Sequence, residues 1–269
     1  MKTIFKLFIL ALVFTLFSCK KEEKEEFTDT PIIESYLTPG DTLSLKITRQ
    51  IPFSSNVTYA SDNIDQLSIN LNYNNTNYLL QPKGNGTYTY HGLVIAEGAQ
   101  CNLSFSYNKK NVTAYTYVPT KPVNYTASTY SIQLPKIDAT SGPPTSFTQP
   151  DPIKLTWTNS DGSYYLIVVE NIETTLDPIR DFGNNAPPSN RFRKQPVAGS
   201  GDELRSFDFK YFGTHRVILY HVLPDYASLY NQSSSSSQNL TNPSTSIVNG
   251  YGIFTGLNSD TLYIEVSKL

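Results

Sequence analysis

One stretch indicates the fold of this chain most clearly: it reads CNLSFSY over residues 101–107 and NVTAYTYV over residues 111–118. Apolar and polar residues alternate in both halves, and successive side chains of a β-strand point to opposite faces, so each half predicts a half-buried strand. The polar residues 108–110 join the two halves. The stretch therefore predicts an antiparallel hairpin, with Cys101 as a small residue of the buried face.

The same alternation continues on the N-terminal side of this hairpin. Further strands are predicted over residues 32–37, 42–48, 67–73, 77–81 and 86–90. Turn-forming residues at 82–85 predict that the last two strands form a hairpin. Seven strands within about ninety residues match the size of an immunoglobulin-like sandwich. We expect this domain to occupy residues 29–119.

A second unit is predicted after the two prolines of residues 119–122, which make a stiff connection. It begins with IKLTW over residues 153–157, a turn at 159–162 and a strand at 164–170. This order resembles the second and third strands of fibronectin type III domains, which implies that Trp157 lies in the core and is not a sugar platform. The chain is thus predicted to be all-β, with an immunoglobulin-like and then a fibronectin type III-like sandwich in tandem, the second over residues 123–269.

Residues 177–203 interrupt the second unit with about 27 residues that lack periodicity. A loop of that length is usually functional or disordered. Its arginines surround an aromatic residue, a composition that suits docking to a protein or to an anionic glycan. The alternative is an insertion whose charge is incidental. The candidate partner-contact residues are Arg180, Arg191, Phe192, Arg193 and Lys194. A short helix is predicted after them, at residues 224–230, with proline in its first turn.

The N-terminus carries two lysines, an apolar run over residues 7–17 and then Ser18-Cys19. This run is too short for a membrane span, which needs about 20 residues, so residues 1–18 are predicted to be a cleaved signal peptide. The sequence LFSC at residues 16–19 resembles the lipobox of bacterial lipoproteins. That resemblance implies a lipid-modified Cys19 at the mature N-terminus and a protein anchored to a membrane by its lipid.

Residues 19–28 are predicted to be a charged tether, since KKEEKEE at residues 20–26 has no apolar side chain to pack. A lysine and paired acids directly after the cysteine resemble the export signal of Bacteroidota lipoproteins that reach the cell surface. The alternative is a spacer without an addressing role. We expect a lipid-anchored protein of the outer membrane that is exposed on the cell surface.

Composition and motifs give no sign of a reactive centre. A net charge of −2 supplies no basic field for nucleic acid. The short motifs of serine hydrolases, zinc proteases, P-loop proteins and dinucleotide-binding proteins are missing. His215 and His221 share one predicted strand, but six steps of about 3.3 Å place them too far apart for one metal ion. With Cys19 lipidated, Cys101 has no disulfide partner. We expect a protein without enzymatic activity, cofactor or metal.

Two further motifs are PIIESYLTPGD at residues 31–41 and NGYGIF at residues 249–254. In the second, the glycines predict a strand in which the backbone approaches a neighbour closely or forms a bulge, with Phe254 turned inward. Together with the lipobox, these motifs resemble a Bacteroidota lipoprotein family catalogued as domain of unknown function 4249. Its members are typically encoded beside TonB-dependent outer-membrane receptors, which implies a binding or accessory partner of such a receptor.

Two other functions stay open at this point. One is an adhesin-like module that binds a glycan or another ligand. The other is a hydrolase whose carboxylates form no recognised motif; the acidic residues near one another in sequence are Asp177, Asp181, Asp202 and Glu203.

Overall fold

A computed structural model describes residues 29–50, 62–138, 148–181, 183, 187–231 and 245–269. The predicted signal peptide at 1–18, the lipidation of Cys19 and the tether at 19–28 lie outside these residues. Strands make up most of the described chain, which confirms the all-β prediction. In the described part, no helix has the length and apolar character needed to span a bilayer.

The elements are numbered in chain order. The strands are β1 (Pro31–Leu37), β2 (Thr42–Arg49), β3 (Asn70–Tyr73), β4 (Thr76–Leu79), β5 (Gln81–Gly84), β6 (Thr87–Val94), β7 (Gln100–Tyr107), β8 (Lys110–Tyr117), β9 (Val123–Ala127), β10 (Ser131–Leu134), β11 (Ile137–Asp138), β12 (Ile153–Thr158), β13 (Tyr164–Asn171), β14 (Arg180–Asp181), β15 (Arg191–Arg193), β16 (Gly201–Leu204), β17 (Gly213–Val222) and β18 (Tyr251–Lys268). The helices are α1 (Asp62–Asp65), α2 (Pro224–Asn231) and a short 3-10 helix at Ser206–Asp208.

A nine-stranded sheet runs through the described structure in the order β15-β13-β17-β18-β1-β2-β6-β5, and β10 also pairs with β18. The predicted hairpin of β7 and β8 is confirmed and belongs to a four-stranded sheet, β4-β3-β7-β8. A three-stranded sheet, β16-β12-β9, and the pair β11-β14 complete the described sheets. The four- and three-stranded sheets each share a hydrophobic core with the large sheet.

The first core lies between the large sheet and the four-stranded sheet. It joins Ile33 and Leu45 of one sheet to Leu103 and Phe105 of the other. Cys101 is fully buried there, as predicted, and burial raises the pKa of its thiol to about 12. The thiol is thus a neutral packing group and not a nucleophile at ordinary pH.

The second core lies between the large sheet and the three-stranded sheet. Trp157 is 4% exposed at its centre, which confirms it as a core residue, and its ring packs at 5.4 Å from the ring of Tyr165. The immunoglobulin-like and fibronectin type III-like assignments, and the boundaries 29–119 and 123–269, stay predictions. The structure adds that Ile247 and Phe254, from the C-terminal end of the chain, belong to the first core.

Strand β18 is the element that serves both cores. Its first part pairs in parallel with β1, from Ile32 opposite Tyr251 to Leu37 opposite Gly256. Its second part pairs antiparallel with β17, from Leu257 to Val266. One strand of 18 residues therefore joins the two units through backbone hydrogen bonds.

The glycines of the NGYGIF motif allow this pairing. Gly252 has a φ of +97°, and a Cβ atom at that position would lie 2.0 Å from the carbonyl oxygen of Ile33. Phe254 is fully buried in the first core. Both the close backbone approach and the inward phenylalanine predicted from the motif are confirmed.

The hairpin predicted at residues 77–81 and 86–90 is wrong in its details. Residues 82–84, expected in the turn, belong to β5, which pairs with β6, whereas β4 pairs with β3. The turn is instead at Asn85 and Gly86, whose φ values of +53° and +72° suit a tight hairpin. Pro82 is tolerated because β5 is an edge strand, where a missing N–H costs no ladder hydrogen bond.

Residues 177–203 are not the aperiodic loop that the sequence predicts. Their described parts contain β14, β15 and β16, which pair with β11, β13 and β12 respectively. These strands have two to four residues, too few for alternation to stand out in the sequence. The segment thus extends the sheets and brings its basic residues to fixed positions.

Candidate functional site

Successive side chains of β15 lie on opposite faces of the sheet, so the predicted contact residues on this strand do not share one face. Arg191 and Arg193 are exposed and line a groove on the large sheet. Phe192 points the other way and packs against the second core. Lys194 forms an ion pair with Asp202, with 2.7 Å between the ammonium nitrogen and the carboxylate oxygen. These two have structural roles.

The fifth predicted residue, Arg180, lies on β14. It does not line the groove. The structure therefore brings two of the five predicted residues together at one site.

The groove has a volume of about 430 Å³ and lies where β18 passes from β1 to β17. We call it the tyrosine–arginine groove. Its apolar floor consists of Leu166, Val168, Val222 and Leu257. Its polar rim includes Arg191, Arg193, Tyr36, Tyr220, Tyr226 and Asp41. A concave surface that combines an apolar floor with polar side chains at its rim is typical of binding sites.

Helix α2, predicted at residues 224–230 and found at Pro224–Asn231, forms one wall of the groove. Its residue Ala227 packs on the same sheet face as Leu166 and Val168. The ring of Tyr226 meets the ring of Tyr36 edge-on, with 6.1 Å between centroids. The helix therefore holds a tyrosine wall against the end of β1.

Arg193 is positioned by this wall. Its guanidinium carbon lies 5.4 Å from the centroid of the Tyr230 ring, a cation–π geometry, and its side chain hydrogen-bonds to Tyr226. The rings of Tyr226 and Tyr230 are 5.9 Å apart. The guanidinium is thus held in place without a carboxylate.

The charge of the groove arginines is not neutralised by an ion pair within the described chain. The arginines that form an ion pair there are Arg49, Arg205 and Arg216. Arg180, Arg191 and Arg193 form none with a described carboxylate. Glu170, opposite Arg191 on the neighbouring strand, is bound instead by Arg216 at 2.6 Å. Asp41 is the acidic residue among those that line the groove.

Tyr36 and Tyr226 stay protonated at ordinary pH. Burial, and then the neighbouring Glu34, raises the pKa of Tyr36 to about 12. Burial, and then Tyr230, raises the pKa of Tyr226 to about 12. A hydrogen bond that raises the pKa of a tyrosine is donated by its neutral hydroxyl, so Tyr36 donates to Glu34 and Tyr226 donates to Tyr230. Tyr226 also accepts a hydrogen bond from Arg193, and the donors available to a ligand are those of the two arginines. The rim suits an anionic group and the floor suits an apolar one.

Sequence reasoning missed the tyrosines of this site. Tyr36, Tyr220 and Tyr226 come from three elements that are far apart in sequence. The one available signal was the short helix, whose tyrosines were recognised as an apolar face but not as a wall beside Arg193.

Three of the four carboxylates considered for a hydrolase, Asp177, Asp202 and Glu203, have ion-pair partners. Lys136 and Lys268 both contact Asp177 at 2.7 Å and lower the pKa of its carboxyl group. Asp202 is bound by Lys194. Within the described ranges, no group of three or more His, Cys, Asp or Glu could hold a metal ion. No observation favours the hydrolase alternative.

His215 and His221 both lie on β17 and are 3% and 8% exposed. The Nδ1 atom of His215 lies 3.0 Å from the carbonyl oxygen of Gly213, which can only accept, so Nδ1 carries the hydrogen. Nε2 then accepts from the side-chain amide of Asn171 at 3.4 Å. His215 is thus a hydrogen-bonded core residue, in its neutral form.

Acidification is expected to destabilise the protein through His215. Burial lowers its pKa below the ordinary value of 6.5, so below that pH the unfolded chain binds more protons and stability falls as pH falls. Thermal unfolding should show a lower Tm at about pH 5 than at about pH 7. A His215→Gln variant, which does not titrate, should lose less Tm over the same interval. An identical pH dependence in the two proteins would contradict this role.

Comparison with known proteins adds the family. No match to a curated protein was found. A family model matches residues 19–262, a region that includes the first core, the second core except Ile264 and Val266, the tyrosine–arginine groove and the NGYGIF motif. The resemblance inferred from the motifs is thereby confirmed. The chain belongs to the family described as Domain of unknown function (DUF4249).

Proposed function

We propose that this protein is a lipid-anchored, surface-exposed outer-membrane lipoprotein that acts as a non-enzymatic binding partner of a TonB-dependent-type receptor. The tyrosine–arginine groove is its contact site in this proposal. The observation that carries it is a pair of exposed arginines that form no ion pair with a carboxylate of the described residues and lie beside a tyrosine wall and an apolar floor. Arginine and tyrosine are the residue types that dominate binding energy at protein interfaces.

The position of the groove suits a tethered protein. Asp29 follows the predicted tether directly and is fixed to the fold, since it accepts hydrogen bonds from the Tyr107 hydroxyl at 2.5 Å and the Asn108 amide at 2.6 Å. Strand β1 then runs from Pro31 to the groove residue Tyr36, at about 3.3 Å per residue. The tether would thus hold the protein at Asp29, near the start of β1, and leave the groove at the other end of β1 accessible to a partner.

A second candidate function is the binding of a glycan or another small ligand. It is favoured by the volume of the groove, about 430 Å³, which falls within the usual range for small-molecule sites. Its tyrosines could stack on a sugar ring, and its arginines could bind an acidic sugar. This candidate predicts measurable affinity of the isolated protein for the glycan, without a receptor.

Affinity purification from outer membranes tests the first proposal. Tagged wild-type protein is expected to recover a β-barrel receptor. The double variant Arg191→Glu, Arg193→Glu should recover about tenfold less or lower still, because charge reversal at an interface opposes the partner's charges. Arg180→Glu is the matched control: it reverses an exposed arginine outside the groove and should recover as much receptor as wild type.

Two results would contradict the proposal. Failure of the wild-type protein to recover any β-barrel would remove the receptor partnership. Equal recovery by the wild type and the double variant would remove the groove as the contact site. Circular dichroism of each variant checks that it is folded.

A further inference from the structure

We infer that the tyrosine–arginine groove binds an extended, acidic segment of the partner protein, with two carboxylates at alternate positions followed by an apolar side chain on the same face. This inference rests on the proposed function, because it takes the groove to be the partner contact. It adds the chemistry of the ligand, which follows from the spacing, surroundings and access of the two arginines.

The spacing of the two arginines determines the spacing required of the ligand's carboxylates. Arg191 and Arg193 occupy alternate positions of β15, so their side chains leave the same face about 6.6 Å apart along the strand. Carboxylates at alternate positions of an extended peptide repeat at the same distance. Each guanidinium can bind one carboxylate through two parallel hydrogen bonds.

The neighbouring charges leave these arginines available. Glu170 lies opposite Arg191, but its carboxylate is engaged by Arg216 at 2.6 Å. Val168 lies opposite Arg193 and offers no charge. Asp41, which lines the groove, and Glu34, which hydrogen-bonds to the groove residue Tyr36, each contribute one negative charge. An acidic ligand therefore faces, on one side of the groove, two arginines that form no ion pair with a carboxylate of the described residues.

The ligand is expected to lie over the sheet face and not to extend the sheet edge. At the edge, the hydroxyl of Ser189 donates to the carbonyl oxygen of Arg191 at 2.7 Å and accepts from its N–H at 3.2 Å. The backbone groups of Arg191 are thereby occupied. An added strand would have to displace Ser189, whereas a peptide on the face meets the arginine side chains directly.

The apolar floor of the groove determines which side chain should follow the two carboxylates in the ligand. Along β13, Glu170 opposite Arg191 is followed on the same face by Val168 and then by Leu166. A peptide that leaves the arginines in this direction meets apolar floor, so its next side chain on that face should be apolar. Burial of that side chain adds affinity that a free small anion cannot obtain.

The tyrosine wall favours binding by fixing one arginine in advance. Arg193 is already held by Tyr226 and Tyr230, so binding costs little of its side-chain entropy. The groove is thus preorganised for an anion before the partner arrives.

Fluorescence anisotropy with labelled peptides tests the inference on the purified full chain. The probe peptide has glutamates at two alternate positions and leucine at the next alternate position, with alanine between them. We expect it to bind, and we expect its glutamine counterpart to bind at least about tenfold more weakly. A peptide of the same composition with the glutamates adjacent should also lose affinity, because its carboxylates point to opposite faces.

Variants locate the binding. The folded double variant Arg191→Gln, Arg193→Gln should bind the probe at least about tenfold more weakly than wild type. Arg180→Gln should bind it as the wild type does. Should the double variant fail to fold, the single variant Arg191→Gln serves, since Arg191 is exposed and the hydrogen bond to Tyr226 and the cation–π contact with Tyr230 are made by Arg193.

Three results would overturn the inference: no binding of the probe, equal affinity for the acidic and glutamine peptides, or equal affinity for alternate and adjacent glutamates. Binding of inorganic phosphate or of a sulfated oligosaccharide without the peptide would do the same and assign the groove to small anions or glycans. The two proposals fail separately. Receptor recovery without peptide binding contradicts only this inference, and peptide binding without receptor recovery contradicts only the proposed function.

Discussion

Replacement of Gly252 by alanine is expected to destabilise the protein by more than about 4 kcal/mol, a loss large enough to leave little folded protein. A Cβ atom would lie 2.0 Å from the carbonyl oxygen of Ile33 and 2.9 Å from its nitrogen. Both atoms belong to the backbone of β1, so no side-chain rotation relieves the clash. The two strands must move apart, and their pairing supports the join between the cores. Urea unfolding followed by circular dichroism measures the effect.

The matched control is Gly84→Ala. Gly84 has a φ of +95°, nearly the same as the +97° of Gly252, but nothing lies within 4 Å of its added Cβ. This variant should lose only the cost of a side chain in left-handed backbone, about 1–2 kcal/mol. The difference between the variants therefore isolates the clash with β1. Equal losses would mean that backbone conformation, and not close strand approach, explains the glycine of the NGYGIF motif.

The sequence could predict strands that bury one face, because alternation is a local property. Strand β7 shows it directly: its buried residues alternate with exposed ones from Gln100 to Tyr107. The pairing of β1 with β18 has no such local signal. It joins residues more than two hundred positions apart in a parallel pairing, and no pattern in either strand's sequence identifies the strand with which it pairs. The sequence therefore predicted the elements better than their arrangement.

The candidate site was predicted in part for a related reason. Arg191 and Arg193 were recognised by their composition, within a segment taken for a loop. Once the segment is a strand, alternation alone separates both arginines from Phe192, which packs in the second core. The ion pair that occupies Lys194 had no signal in the sequence, because Asp202 lies on a different strand. The tyrosine wall and the apolar floor could not be predicted, because their residues come from elements that are far apart in sequence and meet only in the tertiary structure.

A fragment of residues 29–119, the predicted first domain, is expected not to fold alone. It lacks the segment of β18 that pairs with β1. Strand β1, which is a central strand of the large sheet in the whole protein, would therefore become an edge strand with unpaired backbone groups. It also lacks Phe254 and Ile247, which are 0% and 4% exposed in the first core. Loss of a buried phenylalanine alone costs about 3–5 kcal/mol, comparable to the whole stability of a small domain. Amide NMR spectra should show poor dispersion.

A second fragment makes this prediction specific to the missing strand. Residues 29–119 joined by a Gly/Ser linker to residues 245–257 regain the partner of β1 together with both missing core side chains. This fragment should give dispersed amide signals and a cooperative thermal transition. The same fragment with Phe254→Ala should lose about 3–5 kcal/mol of that stability. If residues 29–119 fold cooperatively without the C-terminal segment, β18 is an accessory to the first core and not part of it.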